Sequence, residues 1–320
     1  MRITNITDEG KRFVDEWLND TAFITARTSG STGEPKEIRL PKADMAVSAR
    51  ATNQRFGITA ESRILCPLSA GYIAGKMMIV RALLSGCELI MEHPSNTPLA
   101  GDYGKIDLMA VVPSQCMELI NSNVARNCLK NLIVGGAPLP VDLEDALTCM
   151  PWHTFATYGM TETCSHVALR EIGSDVYTAM PGVSFETDSR GCLVINAPDY
   201  SFRQLVTNDV VESVSPHTFR WAGRFDNVIN SGGIKFHPEQ MEKLLEGKFP
   251  YPFFFRGAPH IKWGEAIEMV IECNDATADG IAAAAATACA AHLPRHAMPK
   301  RIVTVASLPR TANGKLKRRP

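Results

Sequence analysis

Residues 28–36 read Thr-Ser-Gly-Ser-Thr-Gly-Glu-Pro-Lys and concentrate groups that can bind phosphate. Thr28, Ser29, Ser31 and Thr32 offer hydroxyls, Gly30 and Gly33 offer backbone freedom, and Lys36 offers a cation. Glycines let successive N–H groups converge into an anion-binding concavity, and hydroxyls and an ammonium add charge-assisted bonds to phosphate oxygens. The run follows a strand-like stretch, Ala22–Ala26, and suits a triphosphate cradle. It is not a Walker loop: GxxxxGK[ST] is absent, because the fifth residue after Gly30 is Pro35 and Lys36 is followed by Glu37.

Further along stand Tyr158-Gly159-Met160-Thr161-Glu162, then Gly223-Arg224-Phe225-Asp226 leading to Ser231-Gly232-Gly233, then Pro309-Arg310-Thr311-Ala312-Asn313-Gly314-Lys315. A weaker match is Gly135-Gly136-Ala137-Pro138. With the glycine-hydroxyl loop, and in this order, the set resembles the acyl-adenylate-forming (AMP-binding) enzyme superfamily, which includes acyl-CoA synthetases, carrier-protein adenylation domains and luciferases.

The resemblance implies ATP, Mg²⁺ and coenzyme A as cofactors. Thr28, Ser29, Thr32 and Lys36, within the 28–36 loop, would handle the β- and γ-phosphates. Gly136, Ala137 and Pro138 would flank the adenine and Tyr158 would stack on it. Thr161, after Gly159, would contact the α-phosphate, and Glu162 would hold the metal. Asp209 and Arg224 would take the ribose, Asp226 would be the hinge, Gly232 and Gly233 would lie beside the pantetheine tunnel, and Lys315 would be the mobile catalytic lysine.

The chemistry wants such groups. A carboxylate attacking the α-phosphorus of ATP brings two anions together, so a cation between them and a metal on the leaving pyrophosphate stabilise the transition state. The thiol must then reach the acyl carbonyl, which the lysine-bearing part would obstruct, so a hinge is expected.

The acyl pocket is expected from 67–76 and from the neighbourhood of Tyr158. The run Tyr158–His166 resembles O-succinylbenzoate–CoA ligases more than fatty-acid or acetate activators, which implies a small-molecule carboxylic acid, O-succinylbenzoate, as substrate. Arg81 lies on the apolar run Met77–Leu84, where it must reach solvent or meet an anion. It is the leading substrate contact, with Lys76, Ser165 and His166 as further candidates. The alternatives are a stand-alone adenylation domain that loads a carrier protein and a non-catalytic adenylate-binding protein.

Four departures stand out against the superfamily pattern. Only 27 residues precede the phosphate loop, which implies a reduced amino-terminal region. Asn208 stands where a glycine is usual before the ribose aspartate, and Glu37 where another glycine is usual. The 69–76 segment lacks a histidine common in acyl-CoA synthetases.

The elements that would position these residues alternate. Helical periods at Ala43–Phe56 and Lys76–Leu84 interleave with strand-like runs at Arg63–Cys66, Glu88–Met91, Leu108–Val112 and Asn131–Val134. This predicts an α/β fold with a substantially parallel sheet. Shorter strands follow at Cys192–Asn196 and Gln204–Thr207, and the polar run 223–233 reads as an exposed junction. Beyond it, a helix (Pro238–Leu245), strands at Phe253–Arg256, Ile267–Glu272 and Arg301–Val305, and the alanine-rich helix Ala278–Ala291 suffice for a small α+β unit. The expected division is a layered α/β core, 1–223, and a small mobile α+β domain, 224–320.

The chain's 33 basic and 34 acidic residues leave a net charge of −1, so no global field draws nucleic acid. No run approaches the roughly 18 apolar residues of a membrane span, and the expected location is the cytoplasm. The nine cysteines lack CxxC spacing and read as small buried residues rather than a disulfide or zinc framework. Residues 317–319 read as a solvated basic end.

Overall fold

The computed structural model describes residues 2–27, 37–273, 278–310 and 316–318. Its first half runs β1 (Arg2–Thr4), α1 (Asp8–Leu18), β2 (Phe23–Arg27), β3 (Glu37–Pro41) and α2 (Lys42–Phe56). It continues with β4 (Arg63–Cys66), α3 (Ile73–Ser85), β5 (Glu88–Met91) and β6 (Leu108–Val111). Then come α4 (Pro113–Asn121), α5 (Asn123–Cys128), β7 (Asn131–Val134), α6 (Val141–Thr148) and β8 (His153–Met160).

Runs such as Leu108–Val111 are buried at every position because helices cover both faces, as parallel strands require. Alternation decides which core each residue joins: Ile64, Cys66 and Ile133 face α2 and α3, whereas Leu65, Leu132 and Val134 face α4 and α6. The order β1-β5-β4-β6-β7-β8 is parallel throughout.

At β8 the sheet turns antiparallel and gains β9 (Ser165–Glu171), β10 (Val176–Ala179), β11 (Ser184–Thr187), β12 (Cys192–Ala197), β13 (Arg203–Ser215) and β14 (Thr218–Arg224). It reaches 12 strands among the described residues, in an α/β fold as the sequence rhythm predicts.

A second, five-stranded sheet joins β15 (Ile229–Ser231), β16 (Ile234–Phe236), β17 (Phe253–His260), β18 (Gly264–Glu272) and β19 (Arg301–Val305). Helices α7 (Pro238–Leu245) and α8 (Ala278–His292) accompany it, and its apolar side chains form cores of their own. The 223–233 run is not uniformly exposed: Ile229 is 1 % exposed within that core, because β15 pairs with β16 and β18. Most cysteines are buried as expected, but Cys149, at the end of α6, is exposed. Among the described residues no helix is long and apolar enough to cross a membrane.

Candidate active site

The loops that follow β7 and β8 leave the carboxyl ends of parallel strands, where open α/β sheets bind ligands. Gly136, Ala137 and Pro138 are exposed just after β7, and Tyr158 lies on the adjacent β8. The turn after β8 is sharply built. The Thr163 hydroxyl accepts from Met160 N at 3.0 Å and donates to Ser165 O at 2.7 Å. Cys164 and Ser165 both take left-handed φ values, 53° and 99°, and non-glycine residues seldom sit there unless the surroundings demand it. Gly159 cannot carry a side chain, since a Cβ would stand 2.1 Å from Ser165 O. This turn holds Thr161 half-buried and Glu162 exposed, and Glu162 makes no hydrogen bond or ion pair among the described residues.

Tyr158, Asp209, Arg224 and Asp226 come together from three segments of the chain. The Tyr158 hydroxyl donates to Asp209 Oδ2 at 2.8 Å, Trp221 Nε1 donates to Oδ1 at 3.2 Å, and Arg224 Nη1 lies 3.6 Å from Oδ1. Burial, then the Asp209 charge, pushes the Tyr158 hydroxyl well above its usual range, so it stays a donor. The Tyr158 ring packs edge-on against Tyr177 and Phe219. Arg224 Nη2 also reaches Asp226 Oδ2 at 3.3 Å, and Asn208 Nδ2 donates to the same oxygen at 3.3 Å. Asn208 thus ties Asp226 to β13, a bond that a glycine at this position could not make. Trp221 carried no recognisable motif and was missed in the sequence.

Arg81 lies on α3 among Met77, Met78, Ile79, Val80 and Ala82, all fully buried, and is itself 1 % exposed, so its guanidinium does not reach the surface. Its Nη2 donates to Ser165 Oγ at 3.3 Å and its Nη1 to the Met78 sulfur at 3.4 Å, while Nε has no partner among the described residues. Among the described residues no carboxylate pairs with it. Burial pulls the guanidinium down to about 10, which leaves it charged at neutral pH. His166 sits beside it, fully enclosed, with Nδ1 3.4 Å from Ser165 Oγ and Nε2 3.2 Å from Thr52 Oγ1. Burial and then the Arg81 charge hold the imidazole well below its usual range, and therefore neutral.

Lys76 does not join this set. Its Nζ is 3.6 Å from Glu16 and 4.4 Å from the centre of the Phe13 ring, both on α1. Gly232 and Gly233 form the turn between β15 and β16. Beside them a groove of about 500 Å³ is lined by Phe225, Asn230, Gly233, Lys235, Trp263 and neighbours. Thr28, Ser29, Gly30, Ser31, Thr32, Gly33, Lys36 and Lys315 lie outside the described residues. Of the expected solvated end 317–319, Lys317 is exposed, the Arg318 side chain is instead 11 % exposed and ion-paired, and Arg319 lies outside the described residues.

A parallel sheet that turns antiparallel at a glycine-bearing tyrosine turn, beside an aspartate–arginine pair, is the arrangement of an adenylate-forming enzyme. The AMP-binding enzyme family model matches residues 7–190, and this chain belongs to that family, as an AMP-forming acid–CoA ligase. An acyl-CoA synthetase (AMP-forming)/AMP-acid ligase II-like protein from Dyadobacter fermentans is 31% identical, with 95% of this chain and 90% of that chain covered and a TM-score of 0.63. The 2-succinylbenzoate–CoA ligase of Enterococcus faecalis is 26% identical over 90% of this chain and 67% of its own length. The O-succinylbenzoate coenzyme A synthetase of Bacillus subtilis, in complex with its acyl-adenylate intermediate, shares the fold at a TM-score of 0.78 with 20% identity, covering 92% of this chain and 67% of that one.

Proposed function

We infer that this chain activates O-succinylbenzoate as its acyl-adenylate, using ATP, and transfers the acyl group to coenzyme A. The observation that carries the choice of acid is Arg81. A buried guanidinium whose Nε has no partner and which meets no carboxylate among the described residues is costly unless an anion arrives, and a dicarboxylic acid brings a second carboxylate that does not react. Ser165, already bonded to Arg81, would add a hydroxyl to that carboxylate, and His166 would hold Ser165. The ligase names of the relatives support the same reading.

Tyr158 would stack on the adenine, while Asp209 and Arg224 receive the ribose. Thr161 would bond the α-phosphate, and the residues 28–36 and Lys36 would cradle the outer phosphates. Glu162 follows Thr161 and is an exposed carboxylate without a partner among the described residues, which fits Mg²⁺, an ion commonly held by one or two carboxylates plus substrate phosphates. When bound, the ion would neutralise phosphate charge and ease departure of pyrophosphate. The Lys315 ammonium would sit between the attacking carboxylate and the α-phosphate. Residues 224–320 would then rotate about Asp226, withdrawing Lys315 and admitting the thiol along Gly232 and Gly233.

The test is product analysis by mass spectrometry with ATP, Mg²⁺, O-succinylbenzoate and either free coenzyme A or a phosphopantetheinylated carrier protein. Thioester on coenzyme A is the expected result. Thioester on the carrier alone would refute the assignment of the thiol.

A further inference from the structure

The two described residues that flank 311–315 are held together. Arg310 and Leu316 pair in an antiparallel bridge, and Lys317 N donates to Pro309 O at 2.8 Å. Leu316 packs on the small core of Phe254, Val270 and Leu308. Position 315 is therefore one peptide bond from an anchored residue, and the anchor is completed two residues further on.

The Arg318 guanidinium, 11 % exposed, forks onto Glu242 of α7. Nη2 lies 2.6 Å from Oε2, and Nη1 bonds both Oε1 and, at 3.1 Å, the carbonyl of Phe255. Glu242 is itself fixed, because its Oε1 accepts the Phe255 N–H at 2.8 Å. Two-point pairing of this kind sets orientation as well as distance. Arg318 Nε also lies 3.7 Å from Glu239 Oε1, one turn earlier on the helix, and that oxygen accepts from Asn227 Nδ2 at 2.6 Å. Asn227 belongs to the short turn Phe225–Asn227 that joins the two sheets. Glu239 presses on the same junction from the other side: a Cβ on Gly223 would lie 2.5 Å from Glu239 Oε2, at a φ of 145°. One helix thus grips both the carboxy-terminal arm and the turn between the sheets.

We propose that Arg318 is a positioning residue for Lys315: its ion pair with Glu242, linked through Glu239 to Asn227, fastens the arm that carries Lys315 to α7 and makes arm, helix and turn move as one body. The inference rests on the reading of Lys315 as the adenylation cation. It assigns to Arg318 an effect on the half-reaction that uses Lys315 and none on the half-reaction that does not. A purely structural ion pair would affect both alike.

The full chain carrying Arg318→Met, and the double variant Arg318→Met with Glu242→Gln, test this. The double variant also removes the charge of Glu242, the carboxylate held by the fork, and leaves only Glu239, still bonded to Asn227, without its cation, so it limits the loss of stability and the thermal unfolding reads what remains. Each is measured for acid-dependent exchange of labelled pyrophosphate into ATP, for conversion of a synthetic acyl-adenylate to its coenzyme A thioester, and for thermal unfolding. A misplacement near 1 Å acts on the scale of 10²-fold, so exchange kcat should fall by roughly 10- to 100-fold in both variants. Thioester formation from the preformed adenylate should stay within about twofold of the unmutated chain. Arg318→Lys should recover little, because an ammonium cannot make the forked pair. Undiminished exchange in the variants, or equal loss of both half-reactions, overturns the role of Arg318 alone. Absence of exchange in the unmutated chain with every acid tried overturns the Lys315 reading, and this inference with it.

Discussion

Arg81 Nη2 meets Ser165 Oγ at 3.3 Å across 84 positions of sequence, and this contact joins the buried face of α3 to the strained turn after β8. The guanidinium, 1 % exposed, leaves Nε without a partner among the described residues. Under the proposed function, the second carboxylate of the diacid would be its partner.

Arg81→Met should separate binding from stability. Replacing a buried charge that lacks a counter-ion with an apolar side chain of similar length is often neutral or stabilising, so the melting temperature should hold or rise. A hydrogen bond to a charged group is worth about 1.5–3 kcal/mol, so kcat/KM for O-succinylbenzoate should fall roughly 10- to 150-fold. The analogue lacking the ring carboxylate, 4-oxo-4-phenylbutanoate, should show no such loss. Steady-state pyrophosphate exchange with the two acids checks both statements.

Tyr158→Phe removes the 2.8 Å bond to Asp209 and keeps the ring contacts with Tyr177 and Phe219. Trp221 and Arg224 still hold the carboxylate, so the fold should survive with a loss of about 1–2 kcal/mol. KM for ATP should rise several-fold with little change in the KM for the acid, as read by initial rates at varied ATP.

Gly159→Ala should be far more damaging than its size suggests. The added carbon would stand 2.1 Å from a backbone oxygen, which cannot rotate away. A cost of about 2–4 kcal/mol follows from overpacking of this kind, visible as a lowered midpoint in denaturant unfolding.

His166 sets a pH dependence. Its folded pKa lies below the ordinary value near 6.5, so the unfolded chain binds more protons as pH falls through that value. The contribution to stability is complete above about pH 6.5 and declines toward lower pH, at up to about 1.4 kcal/mol per pH unit for one proton. His237, depressed chiefly by burial, acts in the same direction. Denaturant unfolding from pH 7.5 to 5 should therefore show a shallower decline for His166→Gln than for the unmutated chain, with a residual slope from His237.

Local patterns located the elements well where apolar runs are bounded by polar residues. Arg63–Cys66, Glu88–Met91, Asn131–Val134, Pro238–Leu245 and Arg301–Val305 form at the limits that their periodicity predicts. The 13-residue strand β13 was read only as Gln204–Thr207, because Asn208, Asp209 and Glu212 interrupt its alternation. Two of those interruptions, Asn208 and Asp209, lie in the candidate site. Helix α5 spans only six residues, too few to show a period. The Tyr158 and Asp209 pair joins residues 51 apart, and no local signal encodes such a meeting. Arg318 looked like a solvated end because its partners, Glu239 and Glu242, sit on a helix more than 70 residues earlier.

The central claim is that the chain adenylates a dicarboxylic aryl acid, and exchange of labelled pyrophosphate into ATP with O-succinylbenzoate as the only acid measures it most directly. The account predicts exchange that requires Mg²⁺, depends on the acid and is lost in Lys315→Ala. Exchange that is absent with O-succinylbenzoate while acetate or a fatty acid supports it would contradict the account.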